Sequence, residues 1–292
     1  MTIIHLERVE SRYILDLQFK LESPLHIGSR TEGLTKLMLQ FPVRGRSIPI
    51  IPGESLKGVL RSLASAISRS VFPNDDVILC HEKDSHVRRE NLNNLKNKYY
   101  NIAEAELSKI FPRESIEELK QGDGAQLLEY YLTLKCPICK LFGGKGVSGK
   151  ILISDGLPQK EPDPMIYTSV AIDRRTRIAA EGRLFQVVAV KPDENLRYRF
   201  RIIVDNVTRG SEEARLLSLL LEFLMKFGIS VGGLKSRGYG KLAVDKDISE
   251  VIILKLREVE KGGDPLSNIR ALLLKDGYYD KMKLEEFIGW LR

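Results

Sequence analysis

Cysteine is scarce in this chain: there are three among 292 residues, beside four histidines and one tryptophan. Such numbers exclude a disulfide scaffold, which needs dense cysteine pairs. Long apolar runs are also missing, and none approaches the roughly 18 residues that cross a bilayer. The opening "MTIIHLERVESRYILDL" carries early charges and no small-residue cleavage site, unlike a secretory signal. The protein is therefore expected to be soluble and cytoplasmic, with no membrane partner. Internal repeats and low-complexity tracts are absent, which excludes solenoids and fibrous arrays. Between Asp16 and Asp75 the chain holds no aspartate at all.

Positive charge is present in modest excess. Lys and Arg number 46 against 39 Asp and Glu, a formal charge of +7. That balance favours a polyanionic partner, nucleic acid first, although many basic proteins bind none. The length allows a sizeable core in one or two domains.

Along the chain, "RYILDLQFKL" alternates strictly, with Tyr13, Leu15, Leu17, Phe19 and Leu21 on one face, as in a half-buried strand. Pro24, Gly28 and Gly33 break it, and a loop is expected up to "SIPIIPGES". "ESLKGVLRSLASAISRS" has one apolar stripe at helical spacing. Residues 73–143 read as a polar insertion with helical stretches. "KILISDG" reads as a strand. The end of the excursion "IYTSVAIDRRTRIAAEGRLFQVVAV" and "LRYRFRIIVDN" read as paired strands. A strongly apolar helix, "SEEARLLSLLLEFLMKFG", and strands at 239–245 and 251–257 follow. The order fits an α+β domain of the ferredoxin-like or RNA-recognition-motif type over residues 1–257. Residues 258–292 are expected to be a helical appendage of two short helices.

Three stretches share one chemistry. "GGLKSRGYG" follows a helix and enters a strand, so it is neither a dinucleotide fingerprint nor a Walker loop. Its glycines Gly232, Gly233 and Gly238 allow positive φ and close backbone approach. Consecutive N–H groups can cradle phosphate, and Lys235, Ser236, Arg237 and Tyr239 add charge, a hydroxyl and a ring. A flexible turn with solvated charges is the plain alternative. "IPGESLKGVLR" offers a helix start with Ser55, Lys57 and Arg61. "AIDRRTRIAAEGRLF" packs Arg174, Arg175, Arg177 and Arg183 together.

Metal ligands form a second pattern. Cys136-x-x-Cys139 is a tight thiolate pair, and "LCHEKDSHVRRE" supplies Cys80, His81 and His86. The three cysteines with one histidine complete the four N/S ligands of a structural zinc. The alternatives are two unrelated groups or a redox-active pair. Between the histidines the preference falls on His81, although adjacent Cys–His ligation is sterically awkward and His86 relieves it.

"PIIPGESLKGVLR", "VAIDRRTRIAAEGRLF" and "GGLKSRGYGKL", in this order, with "SPLHIG" and "LFGG", resemble the RAMP superfamily of CRISPR-associated proteins over roughly residues 10–245. The likeness is greatest to backbone subunits of type III effector complexes, the Csm and Cmr kind. The resemblance implies an RNA-recognition-like palm, a structural zinc in the insertion, and a thumb β-hairpin at 160–190 wedged into the guide–target duplex. It implies guide crRNA, complementary target RNA and other RAMP subunits as partners. Base pairing would then supply specificity while the protein holds the backbone.

Members that cut target RNA use divalent metal and an Asp just before a Pro-Val pair. Here Gln40 stands at that place in "LQFPVRG". Gln lacks the charge to hold Mg²⁺ or take a proton, so nuclease activity is not expected of this chain. The alternative is a RAMP endoribonuclease, either Mg²⁺-dependent or processing CRISPR transcripts without metal. In the metal-free case His26 is the candidate base; a contact role for His26 is the simpler expectation.

Overall fold

The computed structural model describes residues 9–43, 45–72, 77–80, 86–172, 175, 177, 179–255 and 279–292. Fourteen strands and seven α-helices alternate through them. They are β1 (Ser11–Leu21), β2 (Gly28–Glu32), β3 (Thr35–Met38), β4 (Gln40–Val43), β5 (Arg46–Pro49), α1 (Gly53–Val71), α2 (Leu92–Leu107), α3 (Arg113–Lys120), α4 (Ala125–Lys135) and α5 (Pro137–Phe142). There follow β6 (Ile151–Ile153), β7 (Leu157–Pro158), β8 (Pro164–Ile172), β9 (Ala179–Val190), β10 (Arg197–Asp205) and α6 (Glu212–Phe227). The last are β11 (Ile229–Ser230), β12 (Lys241–Val244), β13 (Glu250–Lys255), β14 (Tyr279–Lys283) and α7 (Leu284–Leu291).

The principal sheet runs β11-β12-β1-β10-β6. Strands β1, β6, β10 and β12, with crossover helices α1 and α6, give the ferredoxin-like order 4-1-3-2. All neighbours are antiparallel. The alternation of β1 puts Tyr13, Leu15, Leu17, Phe19 and Leu21 into the core. There they meet Tyr198, Phe200, Ile202 and Val204 of β10, the register placing Phe19 beside Tyr198. The Phe19 and Phe200 rings meet edge-on at 5.4 Å. Helices α1 and α6 close this face with Leu56, Leu60, Leu216, Leu220 and Leu224. Helix α6 starts on Ser211, whose hydroxyl accepts from the Ala214 N–H, and stops at Gly228. The opposite face of β1 and β10 carries ion pairs: Arg12–Asp205 at 2.7 Å, Arg197–Asp245 at 2.8 Å, and Arg199 with Asp16.

Four expectations change. The stretch before α1 is not a loop but two hairpins, β2–β3 and β4–β5. Every residue of β2 is exposed, so no apolar alternation announces it. Strands β9 and β10 do not pair with each other. Strand β9 pairs with β8 and, in parallel, with β3, forming a separate sheet β2-β3-β9-β8. In the tail, residues 279–283 form strand β14 on β13, not a helix. Finally, α7 packs into the main core, with Phe287 and Leu291 fully buried and the rings of Phe287 and Trp290 against Tyr13. Residues 258–278, the first part of the expected appendage, lie outside the described residues.

The insertion builds its own small core. Ala103 and Leu107 of α2, Ile116 and Leu119 of α3, and Leu127, Leu128 and Leu132 of α4 are buried together. The β8–β9 hairpin stands at the expected thumb position, paired from Pro164↔Val190 to Ile172↔Ala179. Its apolar outer face exposes Ile166, Val170 and Leu184.

Candidate metal centre and nucleic-acid interface

Where the palm core meets the insertion core, four buried side chains converge: Cys80, His86, Cys136 and Cys139. One donor atom from each lies within 4.8 Å of all the others. A tetrahedral ion with metal–sulfur bonds of about 2.3 Å holds its sulfur ligands roughly 3.8 Å apart. The 3.9 Å between His86 Nε2 and Cys139 Sγ is close to such an edge. All three cysteines are unpaired thiols. Three sulfurs and one imidazole nitrogen form a closed N/S donor set, which suits a structural divalent ion. His81 lies outside the described residues, and the four donors are complete with His86.

Local sequence explains the convergence. Cys136 ends α4, and Pro137 opens α5, which carries Cys139 one turn on. Gly143, with φ near 94°, ends α5. A Cβ on Gly144 would sit 3.2 Å from Cys139 Sγ. The tight "LFGG" turn is thus fitted around the Cys139 sulfur. His86 is held from behind by Glu129 of α4. A Glu129 carboxylate oxygen lies 2.9 Å from His86 Nδ1, and the carboxylate also accepts the N–H groups of His86 and Val87.

Proton sharing shows how strongly the sulfurs interact. Hydrogen bonds from Cys139 and Cys80 pull the Cys136 thiol well below the ordinary thiol range. The Cys80 thiol, donating to Cys136, is pushed up to about 12. Burial opposes a charge on His86, but Cys136 and Glu129 outweigh it and raise the imidazole to about 9. A bound cation would displace these protons and take their place.

The expected nucleic-acid residues separate into two groups. Ser55, Gly232, Gly233 and Lys235 come together and, with Gly58 and Ser62 of α1, line an open groove of about 610 Å³. Ser55, Gly58 and Ser62 follow helical spacing, so α1 presents small residues here, with Glu54 and Val59 beside them in the groove lining. Lys57 and Arg61 do not line this groove. Lys57 Nζ donates to the Ile151 carbonyl at 3.0 Å, and burial lowers its pKa. Arg61 donates to the Gly143 carbonyl and lies 3.9 Å from Cys139 Sγ. Both cations thus serve the joint between α1, β6 and the cysteine knuckle.

The glycine loop is folded rather than slack. Gly232, at φ 79°, passes over the 24–26 segment, where a Cβ would fall 2.4 Å from the His26 carbonyl. The N–H groups of Gly233 and Gly240 donate to His26 and Pro24, and those of Arg237, Gly238 and Tyr239 close the loop on itself. Most of the expected phosphate-cradling N–H groups are therefore used in folding the loop. Lys235, Ser236, Arg237 and Gly238 are exposed. Arg237 lies over the Phe185 ring of β9 at 4.5 Å, and Tyr239 meets Tyr167 of β8 edge-on. The loop and the thumb are one contiguous surface.

His26 is buried, and its Nδ1 donates to the Val188 carbonyl at 2.8 Å, since a carbonyl can only accept. It ties β9 to the glycine loop. Gln40 is exposed, at the start of β4 opposite Pro49. Arg175 and Arg177 are exposed in the thumb turn, Arg177 at φ 59°; Arg174 lies outside the described residues. Sequence reasoning missed Glu129, Phe185 and Tyr167. For Glu129 a signal existed: it is the lone acid in the apolar run "LLEYYLTL", and a buried carboxylate needs a partner.

No curated protein matches the sequence. Among solved structures, a chain of a "Type IV-B CRISPR Complex" is similar, with a TM-score of 0.47 and 19% identity, covering 80% of this chain and 89% of that one. The family model of the RAMP superfamily matches residues 18–243. That match spans well over half of the sequence, and the chain belongs to the RAMP superfamily.

Proposed function

We propose that the protein is a guide-RNA-holding subunit of a CRISPR effector complex of the type III kind, with a structural zinc at Cys80, His86, Cys136 and Cys139 and no nuclease activity of its own. The observation that carries this reading is the groove between α1 and the glycine loop. Its floor of Ser55, Gly58, Ser62, Gly232 and Gly233 admits a polynucleotide backbone closely, and Lys235 stands at its edge. Exposed Arg237 and the rings of Phe185 and Tyr167 continue the surface onto the β8–β9 thumb. Such a surface grips phosphate and stacks on bases without reading sequence. Guide RNA lies in the groove, the paired target follows the thumb, and other RAMP subunits extend the path.

Gly58→Glu tests the groove directly. A Cβ at Gly58 meets nothing within 4 Å, so the variant folds and places a carboxylate on the phosphate path. RNA affinity should fall at least about tenfold for any sequence, while Gly58→Ala binds as wild type. Unchanged affinity in Gly58→Glu removes the groove from the interface. Lys57→Ala should lower stability and leave RNA affinity nearly intact. Incubating the chain with guide and matched target RNA, with and without Mg²⁺, tests the absence of cutting. Mg²⁺-dependent cuts by the isolated subunit would make it an endoribonuclease.

A further inference from the structure

Two charged side chains surround the cysteine–histidine cluster without belonging to its donor set, and both are fixed by geometry. Glu129 is 5% exposed and is the one charged residue among the buried side chains of α4. It accepts from the backbone N–H groups of His86 and Val87 at 2.8 to 3.1 Å and contacts His86 Nδ1 at 2.9 Å. An ionised carboxylate only accepts, so Nδ1 carries the proton. The free lone pair of the neutral ring is then on Nε2, the nitrogen that faces the sulfurs at 3.9 Å from Cys139. Arg61 comes from the other side, out of α1. Its guanidinium donates to the Gly143 carbonyl at 2.6 Å and lies 3.9 Å from Cys139 Sγ.

Charge balance makes a nearby cation necessary. Three thiolates around a divalent cation leave one net negative charge, and the Glu129 carboxylate adds a second. Buried net charge of that size is costly unless a counter-charge is close. Among the described residues, Arg61 is the cation in contact with a ligand sulfur.

We propose that Glu129 and Arg61 are positioning residues of the metal centre: Glu129 fixes His86 in the tautomer that ligates through Nε2, and Arg61 holds the Cys139 thiolate and balances the charge of the set. The inference rests on the reading that the four donors hold a metal ion. It adds that ion affinity is set by two side chains outside the ligand list, one from the insertion and one from α1. Carboxylate–histidine–metal relays of this kind typically govern affinity by about 10- to 100-fold.

The test uses the full chain, with Zn²⁺ affinity measured by competition against a chromogenic chelator and Co²⁺ as a spectroscopic probe. Wild type should bind one ion and show thiolate-to-cobalt charge transfer with tetrahedral d–d bands. Glu129→Gln keeps the volume and removes the charge; it should lose about 10- to 100-fold in affinity and shift the d–d bands. Arg61→Ala should weaken binding, and Arg61→Lys should recover part of the loss. In a His86→Cys background no imidazole needs orienting, so Glu129→Gln should cost no further affinity. A purely structural Glu129 would show the same loss in both backgrounds, which overturns its assignment. Glu129→Gln and Arg61→Ala proteins with wild-type affinity and cobalt spectra overturn the proposal as a whole. A wild type that takes up neither ion overturns the metal reading first, a distinct outcome.

Discussion

Single residues in this chain are decided by what they are buried against, and charge alone misleads. Lys57 and Arg61 stand at the start of a helix in a basic sequence, where the local pattern favours phosphate. The fold turns both toward backbone carbonyls, because β6 and the "LFGG" turn pack on that side of α1. Nothing local in "SLKGVLR" encodes the position of Ile151 or Gly143, about ninety residues away in the chain, so these contacts were not legible. The cysteines were legible, since three thiols and a histidine have few other uses at that spacing. Glu213 shows the same principle for an acid. Its carboxylate is buried beside Lys150 at 3.2 Å and Lys140 at 3.5 Å. Burial works to raise its pKa, but its own backbone N–H and the two ammonium groups prevail and hold it below the usual carboxylate range. A depressed folded pKa stabilises the fold above the unfolded value, about 4.3, and that contribution fades as pH falls through the lower folded value. Glu213→Gln should therefore cost about 2 kcal/mol at pH 7, with the deficit shrinking below about pH 4. Thermal melts across pH 3–8 would show the two proteins converging in acid; a constant gap would contradict the assignment.

At the scale of elements, α1 has two working sides, and its entry point fixes both. The N–H of Gly53 donates to the Asp155 carboxylate at 2.8 Å. A Cβ on Gly53 would stand 2.3 Å from the Ile153 carbonyl and 2.7 Å from that of Ser154. Both obstacles are backbone, so neither can swing aside. Gly53→Ala should force α1 off β6 and destabilise the protein by about 2 kcal/mol, seen as a lower denaturant midpoint, and it should weaken RNA binding too. A variant as stable as wild type would show that α1 has slack. Elements with strong periods were readable: β1 and β10 by alternation, α1 and α6 by their apolar stripes. Strands β2 to β5 were not, because they are short and mostly exposed: β2 and β3 owe their existence to pairing with each other and with β9, and β4 and β5 to pairing with each other. Strand β14 was hidden for another reason. "YDKMK" has little apolar alternation of its own, and it becomes a strand by pairing with β13.

For the molecule as a whole, the ferredoxin-like palm was visible as an order of elements, whereas the junction between palm and insertion was visible only as three cysteines and a choice between two histidines, in which the preference fell on His81 while the cluster contains His86. That junction is small: α4 and α5 carry the insertion core onto the palm, and the donor cluster sits at the seam. On the metal reading proposed above, a strong chelator should lower the melting temperature by about 5–10 °C. Limited proteolysis should then cut within residues 92–135 before the palm is touched. An unchanged melt and digestion pattern would separate the cluster from stability. Arg61 gives this seam a wider meaning. It reaches the cysteine knuckle from a helix whose other face, Ser55, Gly58 and Ser62, lines the groove. Two ligands that both favour one placement of α1 must favour each other, and by equal amounts. An occupied groove would slow the escape of the ion just as the ion would tighten the grip on RNA. An assembled subunit would then keep its metal under chelation that strips the same chain when it is alone.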